Sequence, residues 1–230
     1  MKIDKNIIYG EFINRPNRFV AYVKVNDEII MVHVPNTGRC KEILIPGCRI
    51  ILREENGIKR KTKYDLIAAF KGKKIINIDS QIPNKVVEEA LRNGNIPSLR
   101  RFKIIEREKT YGNSRFDFKL TDDNGYIYYL EVKGVTYEED GTAKFPDAPT
   151  QRGRKHLLEL VDAKNNGLGA GVLFLIQMDN MNEFMPYDDM DVDFGKALRV
   201  ADENKVDIFA YECVVGAKSI TLNKEIKVVL

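Results

Sequence analysis

The segment RFDFKLTDDNGYIYYLEVKG, residues 115–134, reads as a β-hairpin, and its turn decides which side chains share a face. Side chains alternate across a strand, so a shift of one residue in the pairing moves each of them to the other face. A two-residue turn at Asn124-Gly125 would mix charged and apolar side chains on both faces. A three-residue turn at 123–125, with glycine in its left-handed position, pairs Phe116 with Val132 and makes one face wholly apolar. The sequence therefore predicts the three-residue turn.

The other face of this hairpin carries charges that need a cation. In the three-residue register, Asp117 lies directly opposite Glu131, and Lys133 follows two residues further along. Like charges in opposite positions repel, whereas Mg²⁺ binds one or two carboxylates and completes its shell with water and phosphate. An acid followed on the next strand by acid-x-lysine is the pattern of the PD-(D/E)xK nuclease-like fold. It predicts Mg²⁺ or Mn²⁺ on Asp117 and Glu131, with Lys133 at a phosphate or the attacking water; the alternative is a solvated sheet face with a Glu131–Lys133 pair.

The elements after residue 82 occur in the core order of that fold, α-β-β-β-α-β. Apolar periodicity and an Asn or Thr start with a Gly stop indicate two helices, and apolar runs indicate the strands. The segments are a helix at 84–94, a strand at 101–110, the hairpin, a helix at 150–166 and a strand at 171–176. We therefore predict a PD-(D/E)xK restriction-endonuclease-like mixed sheet flanked by helices for residues 82–230.

The first 81 residues have a different pattern, with short β-branched and aromatic runs separated by turn residues. The predicted strands are 7–13, 19–25, 29–34, 49–53, 66–70 and 74–78. Five or six short strands without a helix favour a small closed barrel, of which the OB-fold is the commonest nucleic-acid-binding kind. We therefore predict an OB-like β-barrel domain at 1–81, followed by the nuclease-like α/β domain at 82–230.

Basic residues are concentrated where phosphate could be bound. The run 59–64 combines four cations with a tyrosine, and the first turn and a half of the second predicted helix holds Arg152, Lys155 and His156. Cations gain nothing from a helix N-terminus, so they indicate an external anion; the alternative at both places is a solvated basic surface. The predicted DNA-binding residues are Arg39, Lys59, Arg60, Lys61, Arg115, Arg152 and Lys155.

Five motifs give the chain a resemblance to the sugar fermentation stimulation protein family of bacteria and archaea. They are HVPNTGR (33–39), IPNKVVEEAL (82–91), SRFDF (114–118), LEVKGVT (130–136) and FPDAPTQRGRKHLLEL (145–160). The resemblance implies an OB-like domain joined to a nuclease-like domain, and binding of DNA without strong sequence preference. It also implies a regulatory role in sugar utilisation, and it matches Asp117, Glu131 and Lys133 to the nuclease-like positions.

Composition narrows the remaining choices. A net charge of +3 is too small to indicate nucleic acid by itself, so any basic surface must be local. The N-terminus is polar, so the sequence does not predict an export signal. No apolar run is long enough to span a membrane, so it does not predict a membrane segment. Cys40, Cys48 and Cys213 form an odd set without metal spacing, which favours reduced thiols in a cytoplasm. A zinc site at His33 and Cys40 is the less favoured alternative to core and loop roles.

Two functions remain open. The protein either holds double-stranded DNA between its domains without chemistry, or cleaves it as a Mg²⁺-dependent nuclease in which Arg115 and Arg152 neutralise phosphate. The intact acid, acid-x-lysine set favours a competent metal site. A sugar enzyme finds no support, because tryptophan is absent. The Asp-rich segment 188–193 lacks the glycine and final glutamate of a calcium loop, and is predicted to be a solvated loop capping a helix at 194–203.

Overall fold

The computed structural model describes residues 1–57 and 60–230, and its N-terminal third is a closed β-barrel. Its strands are β1 (Ile7–Asn17), β2 (Val20–Val25), β3 (Glu28–His33), β4 (Arg49–Glu54), β5 (Tyr64–Lys71) and β6 (Lys74–Asn77). They pair in the order β3-β2-β1-β4-β5-β6, and a bridge between His33 and Asp65 joins β3 to β5 and closes a five-stranded barrel. The predicted OB-like fold is confirmed, because alternating residues such as Ala21 and Val23 point into a buried core.

The second part of the chain is a mixed sheet with helices. Its main elements are α1 (Ile82–Arg92), β7 (Phe102–Tyr111), β8 (Ser114–Asp122), β9 (Ile127–Val135), α2 (Gln151–Asn165), β12 (Gly169–Ile176), α3 (Asp188–Glu203), β14 (Asp207–Gly216) and β15 (Ser219–Glu225). The sheet order is β15-β14-β12-β9-β8-β7, with β12 parallel to β9 and β14. All eight residues of β12 are buried, as a central strand covered on both faces requires. The predicted element order and fold class are confirmed.

A small third sheet was not predicted. It consists of β10 (Tyr137–Glu139), β11 (Thr142–Phe145), β13 (Glu183–Pro186) and β16 (Lys227–Val228) in the order β10-β11-β13-β16. The β10–β11 hairpin is inserted between β9 and α2, and a short 3₁₀ turn, Pro97–Leu99, precedes β7. Strands of two to four residues carry too little periodicity to be recognised without their partners.

The hairpin turn has the predicted register. Phe118 pairs with Leu130 and Leu120 with Tyr128, and Gly125 has a φ of +79°. The ladder ends at the Phe118–Leu130 pair, one pair before Asp117, so the predicted Phe116–Val132 pair is not formed. Phe116 instead packs against Tyr129 and His156, on the α2 side of the sheet. The side chains of β8 therefore change faces at Asp117, whereas the regular alternation of a strand would keep Phe116 and Phe118 on one face.

Helix boundaries differ from prediction at two places. Helix α1 begins at Ile82 rather than at Asn84, because Pro83 is well tolerated in the first turn of a helix. Helix α3 begins at Asp188, so the Asp-rich segment is not a solvated loop. The backbone is non-helical at Asp191, however, and this residue caps the following part of the helix at Phe194, as predicted. The buried Asp191 carboxylate accepts the backbone N–H groups of Phe194 at 3.0 Å and Thr150 at 2.8 Å, which fixes α3 against the start of α2. Helix α2 follows its predicted cap at Thr150.

Buried polar contacts join the barrel to the mixed sheet. The Gln177 side-chain amide donates to the backbone oxygen of Asn77 at 3.0 Å and to its side-chain oxygen at 2.9 Å. Gly134 of β9 lies so close to Gln177 that a Cβ there would stand 2.5 Å from the Gln177 Oε1. Strand β6 is thereby fixed against the strand that carries the acid-x-lysine motif. Within 1–57 and 60–230, no helix has the length and apolar content to cross a membrane.

Candidate functional site

Asp117 lies in β8 at the point where that strand stops pairing with β9. Its Oδ2 accepts the backbone N–H of Val132 at 2.8 Å, and its Oδ1 accepts the side-chain amide of Asn84 at 2.6 Å. Burial and the nearby Glu131 carboxylate raise the pKa of Asp117 to about 6, against the lowering effect of these two hydrogen bonds. A carboxylate held in this way is charged at neutral pH at a cost in free energy, which a bound cation would offset.

Glu131 lies in β9 and is buried. Its Oε1 accepts hydrogen bonds from Lys133 Nζ and from His156 Nδ1, each at 2.6 Å. Its Oε2 is buried and has no hydrogen-bond partner in the described chain. Burial pushes the pKa of Glu131 upward, but the His156 hydrogen bond and the Lys133 charge outweigh it and hold that pKa below its usual value. Glu131 is therefore a carboxylate with one oxygen fully engaged and the other unpartnered.

Lys133 is the third member of the predicted set, and it lies on the same side of β9 as Glu131. The Glu131–Lys133 pair of the alternative interpretation is present, but it is not solvated, since the Lys133 side chain is only 14% exposed. An ammonium group with three donors and one carboxylate partner has capacity for a further acceptor. The structure thus brings Asp117, Glu131 and Lys133 together.

His156 was not singled out as a site residue by the sequence. It lies in the second turn of α2, is buried, and packs edge-on against Phe116 at 5.8 Å between ring centroids. Arg152 Nε donates to His156 Nε2 at 3.4 Å, so the histidine proton is carried on Nδ1 and directed to Glu131. The i, i+4 spacing of the arginine and the histidine placed both on one helical face, but only the tertiary fold reveals that this face meets β9.

Asn84 was also missed, because it was interpreted as the start of a helix. In the structure it lies within α1 and donates to Asp117, so it acts in the site rather than as a cap. Side chains from α1, β8, β9 and α2 thus converge on two carboxylates, and a hard divalent cation suits this donor set. Hard divalent cations take oxygen ligands, and the unpartnered Glu131 Oε2 and the hydrogen-bonded Asp117 supply them.

No group of three or more His, Cys, Asp or Glu side chains suited to a metal ion occurs within 1–57 and 60–230. The two carboxylates would leave most of a cation's shell to water and phosphate, as is common for Mg²⁺. At the less favoured zinc pair, His33 Nδ1 lies 2.9 Å from Asp65 instead. Cys40 is buried, and burial raises the pKa of its thiol to about 12, so it remains a neutral core residue.

The predicted DNA-binding residues are not equally available. Arg39 and Lys61 are exposed. Arg60 forms an ion pair with Asp65, within the barrel. Lys59 lies outside the described residues.

The remaining three predicted contacts lie on the mixed-sheet side. Arg152 is exposed at the start of α2, directly beside the buried histidine. Lys155 is exposed and donates to the backbone oxygen of Asn113 at 2.9 Å. Arg115 is exposed and pairs with Glu108 at 2.8 Å. These cations flank the β7–β8 turn and the start of α2, and Arg152 contacts the histidine that binds Glu131.

Family models match both parts of the chain. Residues 13–78 match the SfsA N-terminal OB domain, and residues 81–219 match the sugar fermentation stimulation protein RE domain. Sugar fermentation stimulation protein homologues are similar along nearly the whole length. The one from Clostridium botulinum (strain Hall) is 65% identical over 228 residues, which is 99% of each chain, and the one from Clostridium tetani is 66% identical over 230 residues, or 100% of each.

One solved structure is similar over its full length. It is the structure of Pyrococcus furiosus SfsA in complex with Ca²⁺, which is 30% identical, covers 100% of both chains and superposes with a TM-score of 0.90.

Proposed function

This chain belongs to the sugar fermentation stimulation protein family, and we propose that it binds double-stranded DNA and holds a divalent cation between Asp117 and Glu131. The observation that carries the proposal is the state of Glu131. One of its oxygens accepts two hydrogen bonds, while the other is buried without a partner. Leaving a buried charged acceptor unpaired costs free energy, and a cation at Oε2 removes that cost.

Three further observations support the metal. The pKa of Asp117 is raised to about 6 by burial and by Glu131, so both carboxylates gain from a positive charge between them. All the available ligands are oxygens, which favours Mg²⁺, Mn²⁺ or Ca²⁺ over softer ions. The similar protein from Pyrococcus furiosus has a structure in complex with Ca²⁺. We propose Mg²⁺ or Mn²⁺ as the ion that functions here.

The DNA-binding part of the proposal rests on the basic residues around the site. Arg152 and Lys155 are exposed at the start of α2, whose His156 contacts Glu131, so a phosphate they bind lies near the carboxylates. Their contacts are with the backbone of DNA, which explains binding without strong sequence preference. The proposed division into an OB-like domain at 1–81 and a nuclease-like domain at 82–230 would place the duplex against both. A regulatory role in sugar utilisation, suggested by the relatives' name, would act through this binding.

Phosphodiester cleavage is the second candidate, and Lys133 is the observation that favours it. A bound divalent cation polarises a phosphoryl oxygen and lowers the pKa of a bound water. Lys133 is positioned within the same cluster and retains free donor capacity, so it can hold an attacking water or stabilise negative charge on the phosphate.

Metal binding is tested first, by calorimetric titration of Mn²⁺ and Mg²⁺ into the protein and by melting curves with EDTA. We expect saturable binding and a metal-dependent rise in melting temperature. Asp117→Asn should remove most of this rise, whereas Asp123→Asn, which deletes an exposed acid in the hairpin turn, should retain it. An unchanged melting temperature of the wild type at millimolar Mn²⁺ would rule out the site in the free protein.

DNA binding and cleavage need a separate measurement. The protein is incubated with supercoiled, linear, branched and single-stranded DNA, in Mg²⁺, Mn²⁺ or EDTA, and both retained complex and cut product are scored. Retention without cutting supports the binding role, and cutting that requires metal, Asp117 and Lys133 supports the nuclease. The proposal is contradicted if the wild type retains no DNA. It is also contradicted if every variant in which the predicted DNA-binding residues are replaced still retains DNA as the wild type does.

A further inference from the structure

A cavity of about 440 Å³ opens on the barrel, far along the chain from the carboxylate site. It lies between the end of β1 with its following turn and the segment 38–46. Its floor is apolar, with Phe12 and Leu44 both buried. Its rim carries Arg18, Arg39 and Lys41. We call it the β1 pocket.

The rim of the β1 pocket has an unbalanced positive charge. Arg18, Arg39 and Lys41 are exposed, and in the described part of the chain none of them forms an ion pair. Two other cations considered for DNA binding are neutralised locally, Arg60 by Asp65 and Arg115 by Glu108. Three unpaired cations around one opening favour a ligand that carries negative charge.

The walls of the pocket are fixed by the half-buried Arg15. Arg15 Nη1 donates to the backbone oxygens of Gly38 and Arg39 at 2.7 and 2.9 Å. Its Nη2 donates to those of Arg18 and Asn36 at 2.5 and 2.6 Å. The Arg15 guanidinium thus joins β1 to the opposite wall of the pocket. It does so partly by donating to the backbone oxygens of the rim residues Arg18 and Arg39. The backbone that carries two of the rim cations is thereby fixed before a ligand binds, which lowers the entropy cost of binding.

An exposed aromatic residue stands beside this rim. The side chain of Asn17 accepts the backbone N–H groups of Phe19 at 2.9 Å and Val20 at 3.0 Å, which fixes the β1–β2 turn. At the tip of that turn, Arg18 is exposed and Phe19 is 53% exposed. A rigid turn that presents a cation and an aromatic ring together matches the chemistry of a nucleotide, which has a phosphate and a flat base.

We propose that the β1 pocket binds one unpaired nucleotide of a nucleic acid strand. The phosphate contacts the rim cations Arg18, Arg39 and Lys41, the base enters over the floor at Phe12 and Leu44, and the neighbouring base stacks on Phe19. The volume is within the range of small-ligand sites and is large enough for one nucleotide but not for a duplex. This inference rests on the proposed DNA binding and makes it specific, because DNA with an unpaired segment is then preferred over blunt duplex.

The pocket is also connected to the loop before α2. Gly38 of its wall packs so closely against Asp147 that a Cβ at Gly38 would lie 2.5 Å from the Asp147 Oδ2. Asp147 precedes Thr150, the cap of the helix that carries Arg152 and His156. The wall of the pocket is therefore in contact with the segment that leads into the helix carrying Arg152 and His156.

The test compares three fluorescent DNAs by anisotropy in EDTA: a blunt duplex, the same duplex with an oligothymidylate tail, and the tail alone at about ten nucleotides, a length within the span of one OB-fold. We expect the tailed duplex to bind at least about tenfold more tightly than the blunt one, from one or more stacked bases. Phe19→Ala should weaken tail binding by about 5- to 100-fold. Arg18→Gln with Arg39→Gln should lower the log–log salt slope on the tail by about 1.4.

Matched variants separate the pocket from general effects. Ile29→Ala removes an apolar side chain of β3 that is 67% exposed. Lys196→Gln with Lys205→Gln removes two exposed positive charges from the mixed-sheet part. Both should bind the tail as the wild type does.

Equal affinity for tailed and blunt duplex, with no effect of the pocket variants, would overturn the inference while leaving duplex binding intact. Competition by free thymidine monophosphate as effective as that by the oligonucleotide would also overturn it, since the pocket would then take a small molecule. No binding of any DNA by the wild type would overturn the proposed function together with it.

Discussion

Replacing Asp117 by asparagine should make the metal-free protein more stable. In the folded protein this carboxylate is mostly buried and lies near the Glu131 charge, so ionising it costs free energy that the unfolded chain does not pay. Asparagine retains an oxygen for the Val132 N–H, and the Asn84 amide can turn to present its own oxygen to the new amide nitrogen. The substitution therefore removes the buried charge and preserves the local hydrogen bonds.

The size of the effect follows from the pKa. A shift of the Asp117 pKa from 3.8 to about 6 is about two units, which corresponds to about 3 kcal/mol against folding once the group is ionised in both states. The folded pKa is raised, so this cost is absent well below pH 3.8, develops as the pH rises, and is complete above pH about 6. Allowing for the imperfect fit of an amide, we expect a gain of about 1–3 kcal/mol at pH 7.5, or a melting temperature higher by about 2–10 °C.

Melting curves in EDTA at several pH values between 4 and 8 measure this directly. The difference between Asp117→Asn and wild type should be small at the acidic end and increase towards neutral pH. Asp123→Asn is the control, because it deletes an exposed acid from the same hairpin and should show no such increase. With saturating Mn²⁺ the order should reverse, since only the wild type gains binding energy. A variant that is less stable than wild type at pH 7.5 in EDTA would refute the reasoning.

Other predictions concern the partners of these carboxylates. Lys133→Ala should retain the metal-dependent melting shift, because lysine is not a ligand, but should abolish any DNA cleavage in the gel assay. His156→Ala should weaken Mn²⁺ affinity about 10- to 100-fold by calorimetry, because Glu131 loses the hydrogen bond that orients it. Arg152→Ala with Lys155→Ala should weaken binding to all duplex sequences alike and lower the salt slope by about 1.8, whereas Lys196→Gln with Lys205→Gln should leave it unchanged.

The sequence was sufficient for the hairpin because its constraint is local. Only the three-residue turn places the apolar residues on one face and Asp117 and Glu131 on the other. Gly125 occupies the position of that turn that needs a positive φ. The barrel strands were also predictable, because each is a short β-branched or aromatic run bounded by turn residues. The same logic failed at Phe116, where the Asp117 side chain takes the Val132 N–H and the strand leaves its regular alternation.

The rest of the site depends on contacts between distant elements. His156 meets Glu131 across 25 residues, and Asn84 meets Asp117 across 33. Neither contact has a signal in the periodicity of its own helix, since a polar residue on a helix is more often solvated than engaged. The β1 pocket was hidden for a different reason, because Arg15 forms it by bonding to backbone oxygens, which any sequence offers.

The two hydrogen bonds to Glu131 give the proposed cation site a defined metal-free state. Lys133 supplies a positive charge to Oε1, and His156 supplies a fixed donor, so Glu131 remains ionised while Asp117 bears the cost of the second negative charge. A cation bound between Asp117 and Glu131 would neutralise Glu131 in place of Lys133. The Lys133 ammonium group would then be free to contact a phosphate. Metal binding and phosphate binding should therefore strengthen each other. Measured Mn²⁺ affinity should be higher in the presence of DNA for the wild type, and this difference should be lost in Lys133→Ala.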